Sequence, residues 1–553
     1  MSKPLSIIPI GGLEEIGMNM TVFRYLDDII VVDTGLMFPE EDMLGIDYVI
    51  PDLTYLKDNA DKIKAIIITH GHEDHTGALP FVLKEIGLDI PVYATPLTIG
   101  IIKGKLREHE ITKTDLNPIK PRDIVEIGAF KVEFIRVTHS IVDGVGLGIQ
   151  TPIGNIVHTA DFKLDPTPVD GELMDFHKFT EYGEKGTLIL LSDSTNAEKG
   201  GFTYSEKEVR RAFENIFSST DGRLIIATFA SNIHRIQQAI DVSVKYGRKV
   251  ILCGKSLVTN AQIALDLGYL KIPEETWLSL ERLKTLDDDK VTILTTGSQG
   301  EPMSVLSRIA IDEHKHIKIK ENDTVILSAK MIPGNERSIG RIINHLFSRG
   351  ADVIYEKVSE VHVSGHASKE ELKLMINMVK PKYFIPIHGE YRHLVYHSKL
   401  ASKSGIPAEN IFIMENGDVL QVGEGSAEIN GKVTSGRIFI DGKSLGDVAD
   451  MVLRDRWRLA QDGIIIILLS VEKLSGRIIN EPDIITRGFV VDSSSDFINK
   501  DLKDFIANTI GDMEPEIVKD ASVLKEKVRS LAKKKIKQTF KQRPMIIPII
   551  MEV

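Results

Sequence analysis

The sequence predicts a mixed α/β protein of about three domains, and three observations carry that prediction. At 553 residues the chain is too long for one hydrophobic core. Residues 1–200 read as short β-rich apolar runs separated by glycine turns. Between about 205 and 360 the rhythm changes to alternating helix and strand, the pattern of a parallel sheet with helices on its faces.

In the first stretch the strands are Ser6–Pro9, Ile29–Val32, Ala65–Ile68, Pro91–Tyr93, Phe130–Ile135, Asn155–His158 and Thr187–Leu191. Helices interrupt them at Leu79–Glu85 and Pro96–His109. In the second stretch the order is helix Glu206–Ser218, strand Arg223–Thr228, helix Ile233–Lys245 and strand Lys249–Cys253. Helix Leu257–Leu267 and the strands Val291–Thr295 and Asp323–Ser328 continue it. Residues 361–450 return to strands and turns, with a helix at Ser368–Val379. A charged helix, Met451–Ala460, then leads to a last α+β segment, and no fixed-period repeat is present.

Composition is that of an ordinary globular protein, and the formal charge of −11 argues against a generally basic nucleic-acid binder. A local basic channel in an acidic shell remains compatible with it. The single cysteine, Cys253, excludes an intrachain disulfide and a cysteine-based zinc cluster, and fits a reducing cytoplasm. The start lacks the features of a secretory signal, and no apolar run reaches the roughly 20 residues that span a bilayer. A cytoplasmic protein without a membrane partner is therefore expected.

The chemistry concentrates in Thr69-His70-Gly71-His72-Glu73-Asp74-His75, just after an apolar run. A loop ending a strand can aim several side chains into one small volume, and imidazoles mixed with carboxylate suit zinc or manganese rather than calcium. The plain alternative is a polar turn that happens to be rich in histidine. One loop does not saturate two metals. Three later strand ends offer the same context, an apolar strand followed by His139, by Asp161 and by His388. Singly, each has an ordinary reading as a hydrogen-bonded histidine or a turn aspartate. Together they complete seven ligands: His70, His72 and His139 for one metal, Asp74, His75 and His388 for the other, and Asp161 as bridge. Two metals about 4 Å apart suit phosphodiester hydrolysis.

The His-x-His-x-Asp-His loop with His139, Asp161 and His388 resembles the metallo-β-lactamase superfamily. Ser192–Thr195, His362–His366 and Pro386–Glu390 resemble the β-CASP nucleases within it. Gly11–Asn19 and Phe229–Arg235 narrow the resemblance to the bacterial ribonuclease J family. It implies a metallo-β-lactamase αββα sandwich with an inserted β-CASP α/β domain and a small C-terminal α+β domain. The limits are then 1–204 and 361–450 for the two parts of the lactamase domain and 205–360 for the insertion. A linker helix would span 451–463 and the C-terminal domain 464–553. It further implies hydrolysis of RNA with 5′-to-3′ exonuclease and endonuclease activity, in RNA maturation and decay. Two Zn2+ or Mn2+ per subunit, a homodimer or homotetramer, single-stranded RNA and partners in an RNA-decay complex belong to the same expectation.

Within that resemblance Asp193 would bond a ligating histidine or handle the proton of the attacking water, the plain alternative being a turn cap. His366 would stabilise charge or protonate the departing 3′ oxygen, or simply cap the following helix. His388 tilts the substrate to RNA. Ser231, Asn232 and Ile233 at a helix start, with His362, Val363, Ser364, Gly365 and His366, would hold a 5′-monophosphate, although Asn232 also reads as an N-cap. Asp47 and Asp441 are candidates for a structural Ca2+.

Other features weigh less. Gly297–Pro302 and Ile332–Glu336 look like glycine-rich phosphate loops but lack the lysine and spacing of a nucleotide site. Lys525–Arg543 holds nine basic residues against one acid. It reads either as an RNA-backbone contact or as a solvated helix whose stripe at Val528, Leu531 and Ile536 packs in an oligomer. The chain departs from the family at Ala160, where glycine is common before the aspartate. A methyl fits there if the backbone stays at negative φ. It also departs at Glu14 and Met18, the latter expected to change channel charge. A lactamase, thioesterase or DNA nuclease on the same fold, and a non-catalytic scaffold, are the alternatives. The long insertion, His388 and the complete ligand set argue against them.

Overall fold

The computed structural model describes all residues except 1–2, 41–42, 300, 302–303, 331–334, 357, 360, 424, 443, 446–449, 473–474, 476, 490–496 and 541. Part of both glycine-rich loops, Gly297–Pro302 and Ile332–Glu336, lies outside the described residues. The chain forms two compact units, Met1–Phe38 with Tyr48–Ile438, and Pro39–Asp47 with Phe439–Val553.

The first unit holds two sheets that share one apolar core. An eight-stranded sheet runs in the order Ala427–Lys432, Asp418–Val422, Leu5–Gly11, Met20–Tyr25, Asp28–Val32, Ile63–Ile67, Val92–Ala94, Leu116–Pro118. A six-stranded sheet runs Tyr383–Ile387, Thr187–Asp193, Asn155–His158, Val145–Gln150, Phe130–Arg136, Ile124–Ile127. Alternation along these strands sends Ile7, Phe23, Ile30 and Ile67 from one sheet against Phe134, Leu147, Ile189 and Ile385 from the other. On the outer side of the six-stranded sheet, Phe179 and Tyr182 from helix Phe176–Lys185 join Leu372, Met375 and Ile376 from helix Lys369–Val379. This is the sandwich of a metallo-β-lactamase.

Between the strands Thr187–Asp193 and Tyr383–Ile387 the chain builds a third sheet, six-stranded and wholly parallel, in the order 277–278, 249–253, 291–295, 224–227, 324–327, 352–354. Its strands are near-continuous aliphatic runs because both faces are covered. Helices Lys207–Ser218, Ile233–Lys245 and Lys255–Asp266 pack on one face, and Val305–Ala310 and Glu336–Ser348 on the other. The latter helix and the strand Asp352–Ile354 complete the predicted alternation.

One stretch departs from expectation. Residues 361–450, read as strands and turns around a single helix, contain a second helix at Tyr391–Lys403. Its buried face includes His393, His397 and Ser398, so the apolar period that marks a helix is broken by polar residues.

In the second unit, strand Ile464–Val471 lies between Asp483–Arg487 and Met545–Glu552. Helix Ala521–Phe540 lays Leu524, Val528, Ala532 and Ile536 on Ile465, Ile467 and Leu469 of that sheet. The stripe expected to pack in an oligomer is thus satisfied inside its own unit, with Leu531 only half-buried at its margin. The Asp441 carboxylate is held by Arg456 at 2.6 Å and Asp47 accepts from the Gly442 amide at 2.8 Å. A guanidinium therefore already supplies the positive charge at the expected calcium position. Among the described residues no helix is long and apolar enough to cross a membrane. Cys253 is buried and unbridged.

Candidate metal centre

Parallel pairing decides where the site forms. Asn155–His158, Thr187–Asp193 and Tyr383–Ile387 run side by side in the same direction, so Asp161, Asp193 and His388 leave the sheet at one edge. Asp28–Val32 and Ile63–Ile67, also parallel, deliver Asp33 and the His70–His75 loop to the same place from the other sheet.

The seven predicted ligands converge. Donor atoms of His70, His72, His139 and Asp161 lie within 4.8 Å of one another, as do those of Asp74, His75, Asp161 and His388. Asp161 is common to both sets. Its Oδ2 stands 3.7 Å from His70 Nε2, 3.7 Å from His139 Nε2, 3.3 Å from His75 Nε2 and 3.4 Å from His388 Nε2. His70 Nε2 and His139 Nε2 also face His72 Nδ1 at 3.1 and 3.2 Å. Three imidazole nitrogens meeting in a buried space call for a cation between them.

The remaining imidazole nitrogens are largely engaged by the protein, which fixes each ring. His70 Nδ1 meets Thr69 Oγ1 at 3.0 Å, His75 Nδ1 meets Asp33 Oδ2 at 2.8 Å, and His139 Nδ1 meets the Gly365 carbonyl at 2.8 Å. His388 Nδ1 is buried without a partner. Its backbone is left-handed, with φ of 55°.

Electrostatics splits the cluster in two. Burial pushes His70 and His139 well below the usual histidine range and His72 to about 4, leaving neutral rings with lone pairs to offer. Burial acts against His75 and His388 too. There the Asp161 carboxylate outweighs it, raising His75 well above and His388 to about 9. A cation at the second position competes with those protons. The donor set, its burial and its fixed rings therefore fit divalent cations.

Asp193 and His366 pair with each other, Oδ2 to Nδ1 at 2.8 Å, beside Asp161. Asp193 also accepts from the Thr195 amide and hydroxyl, so the turn cap and the histidine partner coexist. Burial lowers the His366 pKa, but Asp193 and then Asp161 outweigh it and the net shift is upward.

The two segments expected to hold a 5′-phosphate adjoin, since Arg235 reaches across to the Val361 carbonyl at 3.1 Å. Their residues divide by role. Asn232 caps its helix by accepting from the Arg235 amide at 3.0 Å. Ile233 and Val363 are core residues of one apolar cluster. Ser364 Oγ accepts from Asn196 at 2.8 Å. Gly365 serves the metal cluster, because a Cβ there would sit 2.6 Å from His139 Cε1. His362 Nδ1 is buried with no partner, and burial with the Arg235 charge lowers its pKa to about 3. Ser231 is half-buried at the head of the helix.

Two readings of the departures are corrected. Ala160 has φ +52°, not a negative value, so its methyl sits in strained backbone beside Asp161. Met18 is 1% exposed and lines no channel.

Sequence reasoning missed Asp33, whose Oδ1 accepts from the Thr69 amide while Oδ2 takes His75. The signal was present in Val31-Val32-Asp33-Thr34-Gly35, an apolar strand ending in aspartate, as at Asp161. Asn19, 3.2 Å from His75 Nε2, and Lys105, which grips Glu73 within the ligand loop, come from distant elements and carried no such signal.

Comparison with known proteins finds matches in both units. Residues 17–226 match the family profile described as metallo-beta-lactamase superfamily, and 221–346 that of the ribonuclease J beta-CASP domain. Residues 350–414 match the Zn-dependent metallo-hydrolase RNA specificity domain, and 451–553 the ribonuclease J C-terminal domain. Ribonuclease J 1 of Streptococcus pyogenes serotype M3 is 43% identical over 550 residues, 99% of this chain and 97% of the relative. Ribonuclease J of Thermus thermophilus is 42% identical over 99% of this chain and 95% of its own length. Ribonuclease J2 of Bacillus subtilis is also 42% identical, over 100% and 99%. A crystal structure of a protein of unknown function from Enterococcus faecalis V583 shares the fold at a TM-score of 0.56 and 16% identity. It covers 76% of this chain and 100% of that one. With relatives this similar over both units, the chain belongs to the ribonuclease J family.

Proposed function

We propose that this chain, a metal-dependent ribonuclease, works with two divalent cations, zinc or manganese. It removes nucleotides from 5′-monophosphate ends of RNA in the 5′-to-3′ direction and also cuts internally, in RNA maturation and decay. The observation that carries the two-cation reading is the single Asp161 oxygen facing four imidazoles that belong to two donor groups. The domain limits 1–204, 205–360, 361–450, 451–463 and 464–553 are proposed with it.

His70, His72 and His139 would hold one cation, Asp74, His75 and His388 the other, with Asp161 between them. Cations so held supply Lewis acidity, making water a nucleophile near neutral pH and offsetting charge on the phosphoryl oxygens. The rest is the work of side chains. Asp33, Thr69 and the Gly365 carbonyl keep His75, His70 and His139 in one orientation. Asp193 holds His366 protonated through Nδ1, so the proton on its other nitrogen is the one available to the departing 3′ oxygen. His362, with an unpaired buried nitrogen, and Ser231 are the groups left to receive a terminal phosphate. Its two or so negative charges would sit near the buried Arg235, and a triphosphate would crowd so closed a pocket.

Metal analysis with labelled RNA tests the reading. The wild type should carry two cations per chain, and Asp74→Ala should lose cation and about 10³-fold or more in cleavage rate. An unchanged rate in that variant sinks the mechanism. RNAs with 5′-monophosphate, 5′-hydroxyl and 5′-triphosphate ends test the pocket, and equal exonucleolytic rates on all three would refute the end preference. Assembly as a homodimer or homotetramer in the cytoplasm, with RNA-decay partners, is the remaining part of the proposal. Sedimentation of the full chain measures its size.

A further inference from the structure

Between the strand that carries Asp193 and the helix Lys207–Ser218, the segment 199–204 is pinned at five points. The Lys369 amide donates to the Lys199 carbonyl at 2.9 Å and the Glu370 amide to Gly201 at 3.2 Å. The Thr203 amide donates to Glu371 at 2.7 Å, and its hydroxyl to the His366 carbonyl at 2.8 Å. Lys163 Nζ reaches the Tyr204 carbonyl at 3.3 Å. A segment held this firmly has a fixed shape, yet the residues on either side of Thr203 are large and exposed, Phe202 by 59% and Tyr204 by 68%. Thr203 faces inward to His366, and the two rings flank it on the surface. The apolar core gains nothing from them, which leaves a surface role to account for their presence.

The helix start that anchors the segment leads to a cationic and aromatic cluster. Lys369, whose amide anchors the segment, extends its ammonium to 5.7 Å from the ring of Tyr396 on helix Tyr391–Lys403, and Lys399 lies 5.5 Å from the same ring. Tyr396 is itself 42% exposed. The nearby acids are already matched, Glu370 with Lys373 at 2.8 Å and Glu198 with Arg392 at 3.8 Å. Among the described residues no carboxylate pairs with Lys199, Lys369 or Lys399. Exposed rings interleaved with unmatched ammonium groups are what a flexible, unpaired polynucleotide needs, the rings stacking its bases and the lysines its phosphates.

We infer that Phe202 and Tyr204, with Tyr396, Lys199, Lys369 and Lys399, form a docking surface for single-stranded RNA outside the metal cluster, beginning at the backbone of His366. The inference rests on the ribonuclease reading above and adds to it a set of residues that recognise strand length rather than the scissile phosphate. Nothing in this surface reads base edges, so its stacking is indifferent to sequence. Continuity with His366 through the Thr203 hydroxyl favours the enzyme's own substrate over a protein partner.

The test compares a 5′-phosphorylated dinucleotide with a 5′-phosphorylated oligoadenylate of about 20 nucleotides, using the metal-loaded full chain. Phe202→Ala/Tyr204→Ala should raise KM for the long RNA by roughly 10- to 100-fold, while turnover of the dinucleotide stays at the wild-type value. Phe202→Tyr/Tyr204→Phe, which keeps both rings, should restore the wild-type KM. Lys369→Gln/Lys399→Gln should make the salt dependence of long-RNA binding shallower. A long-RNA KM within twofold of wild type in the double alanine variant overturns the proposal and leaves the patch to a protein partner. A parallel fall in dinucleotide turnover overturns it as well, by showing a structural role. Fluorescence anisotropy of an uncleavable phosphorothioate RNA separates the two layers. If the wild type cleaves neither RNA but the double variant binds that probe at least tenfold more weakly, the catalytic reading fails and the docking surface stands.

Discussion

In the second unit, the described residues with left-handed backbone are all glycines, Gly45, Gly442, Gly463 and Gly488. Around the metal cluster of the first unit the same backbone conformation is taken by Asp33, Ala160 and His388, with φ of 62°, 52° and 55°. All three lie within two residues of a strand end, and buried charge surrounds them. A non-glycine residue in that region costs on the order of 1–2 kcal/mol. The described part of the second unit departs from local rules chiefly at the π-helical turn Phe497–Leu502. The first unit also has non-glycine residues in this left-handed conformation at turns away from the cluster, Leu26, Glu110 and Lys380 among them. At Asp33, Ala160 and His388 the conformation falls beside the buried candidate ligands, where the two packed sheets supply the stability that tolerates it.

Four measurements would break or sharpen this contrast. The largest effect is expected at Glu206, buried between Arg235 at 2.8 Å and Lys163 at 3.8 Å. Glu206→Gln leaves Arg235 without a carboxylate, while Lys163 keeps Asp165 at 3.7 Å, and should cost about 3–5 kcal/mol in urea unfolding at neutral pH. Burial alone would raise the Glu206 pKa, but Arg235 and Lys163 outweigh it and bring it to about 2 from 4.5. Because the folded value lies below the unfolded one, its contribution is complete above about pH 4.5 and fades as pH falls towards 2. The gap between wild type and variant should close over that window, and a gap independent of pH would contradict the charge pairing.

Next comes Ile467→Ala in the core of the second unit, expected to destabilise that unit by about 2–4 kcal/mol through the cavity left behind. Metal content per chain should not change, and its loss would show that the two regions do not behave independently. Third, Gly365→Ala forces a methyl to 2.6 Å from the His139 ring. Cation affinity should fall roughly 10- to 100-fold with the thermal midpoint nearly unmoved, as measured by competition with a chelating dye. The smallest effect is predicted for Ala160→Gly. Relief of the strained φ slightly exceeds the added freedom of the unfolded chain, so the protein should gain about 1 kcal/mol or less at unchanged activity. A loss of stability would mean that the methyl contributes packing that outweighs the strain.

How much of this was legible in the sequence follows the same division. The candidate ligands His70, His72, Asp74 and His75 sit in one loop, and His139, Asp161 and His388 each follow an apolar strand, so spacing and context were enough to bring all seven into one set. Asp33 carried the same mark and was passed over because it is a lone acid with no histidine beside it. The backbone strain at Ala160 left no trace, since φ is dictated by the neighbours it must reach. The phosphate-pocket segments were located, but the division of labour within them was not. Whether Ser364 and Gly365 face a ligand or a neighbouring ring depends on packing across more than two hundred residues. Helix Tyr391–Lys403 was hidden by its polar buried face.

The lateral position of strand Tyr383–Ile387 has a consequence in time. Its partner, Thr187–Asp193, is made nearly two hundred residues earlier, and the whole third sheet is made between them. During synthesis the growing chain can display His70, His72, His139 and Asp161 long before His388 exists, and Asp193 waits for His366. A nascent chain therefore cannot bring His388 to the other candidate ligands until the ribosome has passed that residue.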